Sequence, residues 1–368
     1  MTTSPTSSST SLDGFWAVVP AGGAGTRLWP LSRSGHPKFL RDLTGGGRSL
    51  LQSTHDRLAP LAADRFVVVT GTRHRDAVAA QLPDVDDTWI IAEPSARDSM
   101  AAIGVAAAIL ERHDPDAVMG SFAADHVITR SEVFEAAVAS AVAAARDGHL
   151  VTIGIEPTFP SSAFGYIQCG DTLEGHDGVC RVEAFVEKPS VDVAEGYLAT
   201  GAYRWNAGMF VVRPTVLLDL LAEGHPEFAA ALRAIAAAPE TLAEAWDALP
   251  KIALDHAVAE PAADAGRVVV VPAAFGWDDV GDFDSLATLL EDDGTATTTV
   301  LGDADLVTAV DTTGLVVPAG GKMVTVVGLD DVVVVDTPDA LLVTTRAHAQ
   351  AVKKLVGALK DAGREDLT

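Results

Sequence analysis

The strongest constraint on this chain is an alternation. Over its first 290 or so residues, short runs of β-branched residues take turns with helical patterns. Phe15–Pro20, Phe66–Thr70, Thr88–Ala92, Ala117–Phe122 and His149–Gly154 read as strands. Ser49–Leu58, Arg73–Gln81, Ser99–Arg112 and Glu132–Arg146 read as the helices between them. Near-continuous apolar strands separated by helices imply a parallel sheet covered on both faces. The expected fold is α/β, a doubly wound and mostly parallel sheet of the Rossmann-like kind.

Between Ser161 and Pro214 the texture changes to extended segments, Phe164–Gln168, Val179–Glu187 and Tyr203–Val212. Ala- and Glu-rich helices fill Val216–Ala259, followed by a strand at Arg267–Val271 and a helix at Asp282–Leu290. Thr297–Thr345 holds no convincing helix. Its Val-rich runs, broken by Gly, Asp and Pro, read as a small β appendage, with a short left-handed β-helix as one form open to it. A final helix is expected over Arg346–Ala362, with Ala349, Val352, Leu355, Val356 and Leu359 on one face. The expected organisation is a disordered tail over 1–13, a catalytic domain over 14–292 and a β domain with its helix over 293–368.

Composition narrows the partners. Asp and Glu number 51 against 26 Lys and Arg, a net charge of −25. A surface so negative argues against nucleic acid and against anionic membranes. Two cysteines, Cys169 and Cys180, are too few for a disulfide framework and lack zinc spacing. The Ser/Thr-rich start has no basic n-region or apolar h-region, and runs such as Met100–Leu110 fall short of a membrane span. A soluble cytoplasmic protein is expected.

Directly after the first strand comes PAGGAGTRLWPL, residues 20–31. Glycines at 22, 23 and 25 allow a tight turn that brings backbone N–H groups up to an anion. The Gly-Lys-Ser/Thr ending of a Walker loop is absent, and Leu28 stands where a dinucleotide fingerprint needs its third glycine. What remains is a loop of amides with one fixed cation, Arg27, and a second, Lys38, eleven residues on.

The nineteen residues GGAGTRLWPLSRSGHPKFL resemble the N-terminal motif of sugar-1-phosphate nucleotidylyltransferases, in the form most similar to mannose-1-phosphate guanylyltransferases. The resemblance implies a transfer of GMP from GTP to mannose 1-phosphate, giving GDP-mannose and pyrophosphate. The nucleophile of such a transfer is already an anion, so catalysis reduces to positioning and charge neutralisation by fixed cations and Mg²⁺. Arg27 and Lys38 are then the catalytic cations, and Ala21, Gly22, Gly23, Gly25 and Thr26 bind the nucleotide.

Magnesium needs one or two carboxylates beside phosphate oxygens. Asp125 follows an apolar strand, and Asp279 lies in FGWDDVGDF; these two match the family's metal positions, with Asp278 and Asp282 as neighbours. Asp282 is also placed to cap the following helix. FVEKPS resembles the family's E-K-P motif and assigns Glu187 and Lys188 to the sugar phosphate. AFGYI resembles its G-Y-I segment and suggests Gly165. Asn206, in RWNAGMF, is the only asparagine in 368 residues, and its amide suits a pair of sugar hydroxyls.

IIAEPSARDSMAAIG resembles the guanylyltransferase E-P-x-x-R segment at Glu93, Pro94 and Arg97. It departs at Asp98, Ser99, Met100 and Ala102, which bears on base choice more than on the reaction. The segments after Val300 resemble the C-terminal β-domain of the bacterial enzymes, and the isomerase domain of longer bifunctional relatives is not expected. Manno-heptose or glucose 1-phosphate, another base, or a non-catalytic nucleotide-sugar sensor remain the alternatives. A homo-oligomer, a dimer through the Val-rich strands, is a further expectation.

Overall fold

A computed structural model describes residues 11–291 and 298–368. The expected boundary at 292–293 lies outside the described residues, as does the expected tail apart from Ser11–Asp13. There the Leu12 N–H donates to the Leu61 carbonyl at 2.8 Å, and Arg65 Nη2 donates to the Leu12 carbonyl at 2.8 Å. The chain divides into two units. One comprises Met1–Ala21, His55–Ala123 and Ile128–Trp277; the other comprises Gly22–Thr54, Ala124–Val127 and Asp278–Thr368.

The first unit is built on nine strands: β1 (Phe15–Ala21), β2 (Phe66–Gly71), β3 (Ile90–Glu93), β4 (Val118–Ser121), β5 (Leu150–Ile155), β6 (Gly165–Thr172), β7 (Cys180–Val186), β8 (Tyr203–Val212) and β9 (Val268–Ala273). Their order is β3-β2-β1-β4-β8-β5-β9-β7-β6. The first four are parallel, as expected, with Ala17 opposite Phe66, Trp16 opposite Met119 and Val68 opposite Ile90. Beyond them the sheet is mixed rather than mostly parallel. β8 runs antiparallel to β4, β5 and β6, and β7 antiparallel to β6 and β9, while β9 stays parallel to β5.

The physical cause is connection length. β6 and β7 are joined by a turn too short for the crossover that a parallel return requires. The pairings β8–β5, β5–β9, β9–β7, β7–β6 and β6–β8 close on themselves. The Ala-rich helix Asp98–His113 places nine residues in the main core, alongside Leu217, Leu221, Phe228 and Leu232. A helix expected nowhere in the sequence reading spans Val191–Thr200, capped by Ser190 Oγ on the Val193 N–H at 3.5 Å.

The second unit holds β10 (Thr298–Val300), β11 (Val307–Val310), β12 (Gly314–Pro318), β13 (Val324–Val327), β14 (Val332–Asp336) and β15 (Leu341–Thr345). β10, β12 and β14 are parallel and in register, Thr299 beside Leu315 beside Val333. β11 and β13 form a second parallel pair. Strands two apart in sequence thus stack, as successive turns of a parallel β coil, and β15 returns antiparallel to β14. The expected strand over Asp305–Val310 begins instead as a 3₁₀ turn, Ala304–Leu306, because the Asp303 carboxylate captures the Asp305 N–H at 3.0 Å.

The expected final helix is 3₁₀ over Arg346–Ala351 and α only over Val352–Asp361. Winding at about three residues per turn shifts the apolar phase. Ala349, Val352 and Val356 are buried, but Leu355 is 44% exposed. No helix among the described residues is long and apolar enough to cross a membrane.

The coil leaves no room at Gly314. Its φ is +122°, and a Cβ there would stand 1.9 Å from the Val332 carbonyl oxygen. Gly314→Ala should therefore destabilise the fold by about 2 kcal/mol or more, read from urea unfolding, because the clash is with backbone. Gly321→Ala, at φ +73° with open space around it, should cost less, about 1–2 kcal/mol from the left-handed backbone alone. Equal losses from the two substitutions would contradict this picture of the coil.

Candidate active site

The Gly-rich loop leaves β1 and enters the 3₁₀ turn Thr26–Leu28. Gly25 takes φ +59°, and a Cβ there would meet Ser32 Oγ at 2.8 Å and Lys38 Cβ at 3.1 Å. A side chain at this position would push on the lysine. Ser32 Oγ donates to the Ala24 carbonyl and fixes the loop from behind. Among the described residues, the N–H groups of Gly23, Ala24 and Gly25 make no hydrogen bond. Exposed, unpaired amides on a tight loop are an anion-binding surface.

That surface opens on a cleft of about 260 Å³ in the second unit. Gly23, Gly25, Thr26, Arg27 and Lys38 line one part of it; Asp125, Asp279 and Gly281 line another; Lys353 completes the wall. Lys38 Nζ lies 2.9 Å from Asp125 Oδ2 and donates to the Asp279 carbonyl at 2.6 Å. Burial pushes the Asp279 carboxyl up, Asp125 adds to the rise, and Lys38 and Arg27 oppose it.

The neighbouring acids are otherwise engaged. Asp278 is pushed up to about 6 by burial, and its Oδ1 accepts the Val280 N–H at 2.6 Å. Asp282 caps the helix Phe283–Leu290, accepting from Asp284 at 2.8 Å and Ser285 at 3.1 Å. Asp279, not Asp278 or Asp282, therefore faces the cleft beside Asp125.

A second cluster lies in the first unit. Asn206 on β8 sits opposite Gly165 on β6. Asn206 Nδ2 donates to Asp255 Oδ1 at 2.6 Å, and its Oδ1 accepts the Gly208 N–H at 3.0 Å. A Cβ at Gly165 would stand 2.6 Å from Glu187 Oε2 and 3.4 Å from Asn206 Cβ. The missing side chain is what keeps this space open. Glu187, 25% exposed, pairs with the outward Lys188 at 2.6 Å.

Asp255 escaped the sequence reading. It opens a π-helical turn, Asp255–Ala259, a form that often marks functional positions. Burial raises its carboxyl, Asn206 opposes the rise, and Glu187 adds to it. The turn lies inside the Val216–Ala259 stretch read as helices, and its π geometry leaves no mark on residue type.

Glu93 ends β3, half-buried, with its carboxyl raised to about 7 by burial. Arg97 is already held by partners. Its Nη2 lies 2.8 Å from Asp247 Oδ1, and its Nη1 donates to the Leu249 carbonyl at 3.3 Å. Ser95 Oγ reaches the same Asp247 oxygen at 2.8 Å. Ala21 is buried at the strand end, where its carbonyl accepts from Thr70 Oγ1 at 2.8 Å, so it offers only backbone to a ligand. Gly22 follows it, exposed.

Residues 16–295 match the nucleotidyl transferase model, and residues 305–359 match the MannoseP isomerase/GMP-like beta-helix domain. The chain belongs to the nucleotidyl transferase family. Its second match agrees with the parallel coil of β10–β14. Among similar proteins is the xanthan biosynthesis protein XanB of Xanthomonas campestris pv. campestris. It is 40% identical over 360 residues, covering 95% of this chain and 74% of that protein. The mannose-1-phosphate guanylyltransferase of Escherichia coli K12 is 39% identical over 368 residues, covering 96% and 75%. A crystal structure described as mannose-1-phosphate geranyltransferase, from Thermus thermophilus, superposes with a TM-score of 0.84 at 33% identity. It covers 94% of this chain and 99% of that one.

The raised Glu93 carboxyl makes stability depend on pH. Its folded form holds a proton between its ordinary value of 4.5 and about 7, where the unfolded chain has lost it. Raising pH through that window therefore weakens the fold. Glu93→Gln should remove this contribution. Its urea midpoint relative to the parent should rise on going from about pH 5 to about pH 8, and a pH-independent difference would contradict the burial of Glu93.

Proposed function

We propose that the chain transfers GMP from GTP to α-D-mannose 1-phosphate, giving GDP-mannose and pyrophosphate. The observation that carries this reading is the cleft in which the unpaired amides of Gly23 and Gly25, with Arg27 and Lys38, face Asp125 and Asp279. The names and identities of the relatives supply the sugar and the base. The left-handed sense of the β coil belongs to the same reading.

The reaction needs no general base, since the attacking sugar phosphate is already an anion. What it needs is charge complementarity and alignment. Arg27 and the amides of Gly23, Ala24 and Gly25 hold the outer phosphates. Lys38, fixed by Asp125 and the Asp279 carbonyl, faces the phosphate under attack. Glu187 and Asn206 accept and donate to sugar hydroxyls, and Lys188 meets the sugar phosphate. Glu93 and Arg97 belong to the base pocket.

The carboxylates fit a divalent cation. Asp279 is half-buried with its carboxyl raised, and Asp125 in the same cleft adds to the rise, so the two acids repel one another where a divalent cation would relieve them. Two carboxylates completed by phosphate oxygens is the donor set of Mg²⁺. Asp125 and Asp279 would hold it, and bound there it supplies neutralisation of the phosphate charge.

The test is pyrophosphate release with mannose 1-phosphate and Mg²⁺, run in parallel with GTP, ATP, UTP and dTTP. Release with GTP is expected, abolished by chelation of the metal. Asp125→Ala should lower kcat by about a thousandfold, and an Asp125→Ala enzyme of full activity would sink the assignment. Release with another nucleotide alone would overturn the base, and with another sugar phosphate alone the sugar. Tight GDP-mannose binding without turnover would turn the reading to a sensor.

A further inference from the structure

The cleft has a third cation on its wall, and it comes from the far end of the chain. Lys353 lies in the first turn of the helix Val352–Asp361. Val352 and Val356 of that helix are buried in one core with Leu28, the residue after Arg27. Trp29 Nε1 donates to the Leu367 carbonyl at 2.7 Å, and Ser34 Oγ donates to the Thr368 carbonyl at 2.7 Å. The C-terminal segment is thus fastened to the stretch that follows Arg27, and Lys353 lines the same cleft as Arg27.

The cations of the cleft are not equally available. Lys38 is committed to Asp125 and to the Asp279 carbonyl. Arg27 acts on Asp279. Lys353 is exposed, and among the described residues its ammonium makes no hydrogen bond or ion pair. An uncommitted ammonium beside unpaired amides is placed for an incoming anion. Lys354 lies about 100° further round the helix and is not part of the cleft wall.

We propose that Lys353 binds the terminal phosphates of the nucleotide, the group that leaves as pyrophosphate, so that the C-terminal helix completes the phosphate site. The assignment rests on the nucleotidyl-transfer reading above and deepens it. It makes the C-terminal unit a contributor to substrate binding as well as a support for the loop.

The test uses the full chain and inorganic pyrophosphate with Mg²⁺, followed by titration calorimetry. Lys353→Ala should weaken pyrophosphate binding by about tenfold, the worth of one charge-assisted contact at a partly solvated site. Lys353→Arg should restore most of it, and Lys354→Ala should leave it unchanged. In turnover, Lys353→Ala should raise the KM for GTP and leave the KM for mannose 1-phosphate as it was. Wild-type affinity in Lys353→Ala would overturn the proposal, as would an equal loss in Lys354→Ala, which would mark a diffuse effect of net charge. A parent enzyme that neither binds pyrophosphate nor turns over would overturn the nucleotidyl-transfer reading, and this proposal with it.

Discussion

One lysine ammonium ties together three distant parts of this chain. Lys38 Nζ reaches the Asp125 carboxylate and the Asp279 carbonyl, the latter 241 residues away in sequence. Both members of the ion pair are largely removed from solvent, with side-chain exposures of 12% and 18%. Charges so placed lose hydration that a single contact offsets only in part. Asp279 lies beside this pair and Asp278 follows close, both with raised carboxyls. Asp125 and Asp279 repel one another across the cleft, and a bound cation relieves that repulsion.

That arrangement explains the partition of the chain. The Gly-rich loop springs from the end of β1, yet its 3₁₀ turn packs on residues from the last quarter of the sequence. Leu28, Trp29 and Leu31 share a core with Val280, Phe283, Leu315, Val333, Val352 and Val356. Each such buried side chain contributes roughly 1.5–3 kcal/mol. A flexible loop would lose affinity in ordering itself around a phosphate; one already seated on a β coil and a helix has met that cost in folding. The β coil is suited to the task, since its in-register strands hold their neighbours at fixed height.

Much of this was legible in the sequence, and the divisions have physical reasons. The first five strands and their helices were readable because a strand buried on both faces must be apolar throughout, as in FVVVT. The loop was readable because a tight turn, amide exposure and nearby cations all require particular residues close in sequence. Partnering of the later strands was not readable, since β7 and β9 pair by geometry that residue type does not encode. Lys353 was hidden by its own helix: periodicity marks a lysine as a solvated face, and the 3₁₀ stretch over Arg346–Ala351 reset the phase that would have placed it. The cap at Ser190 was a signal available in the sequence, but the proline before it reads as the end of a strand.

The lone asparagine shows how far a composition argument reaches. Its rarity marked Asn206 as purposeful, and the structure supplies a chemical reason. One end of the amide donates to Asp255 and the other accepts from Gly208. An amide satisfies both at once, as a carboxylate, which only accepts, does not. An aspartate in its place would set a third carboxylate among Asp255 and Glu187, in a setting where burial already raises Asp255 and Glu187 raises it further. Each of Asn206's two engaged atoms retains one further hydrogen-bonding valence, a proton on Nδ2 and a lone pair on Oδ1. Those are the complements of a hydroxyl group, held in fixed orientation by a carboxylate that the sequence reading took for part of a helix.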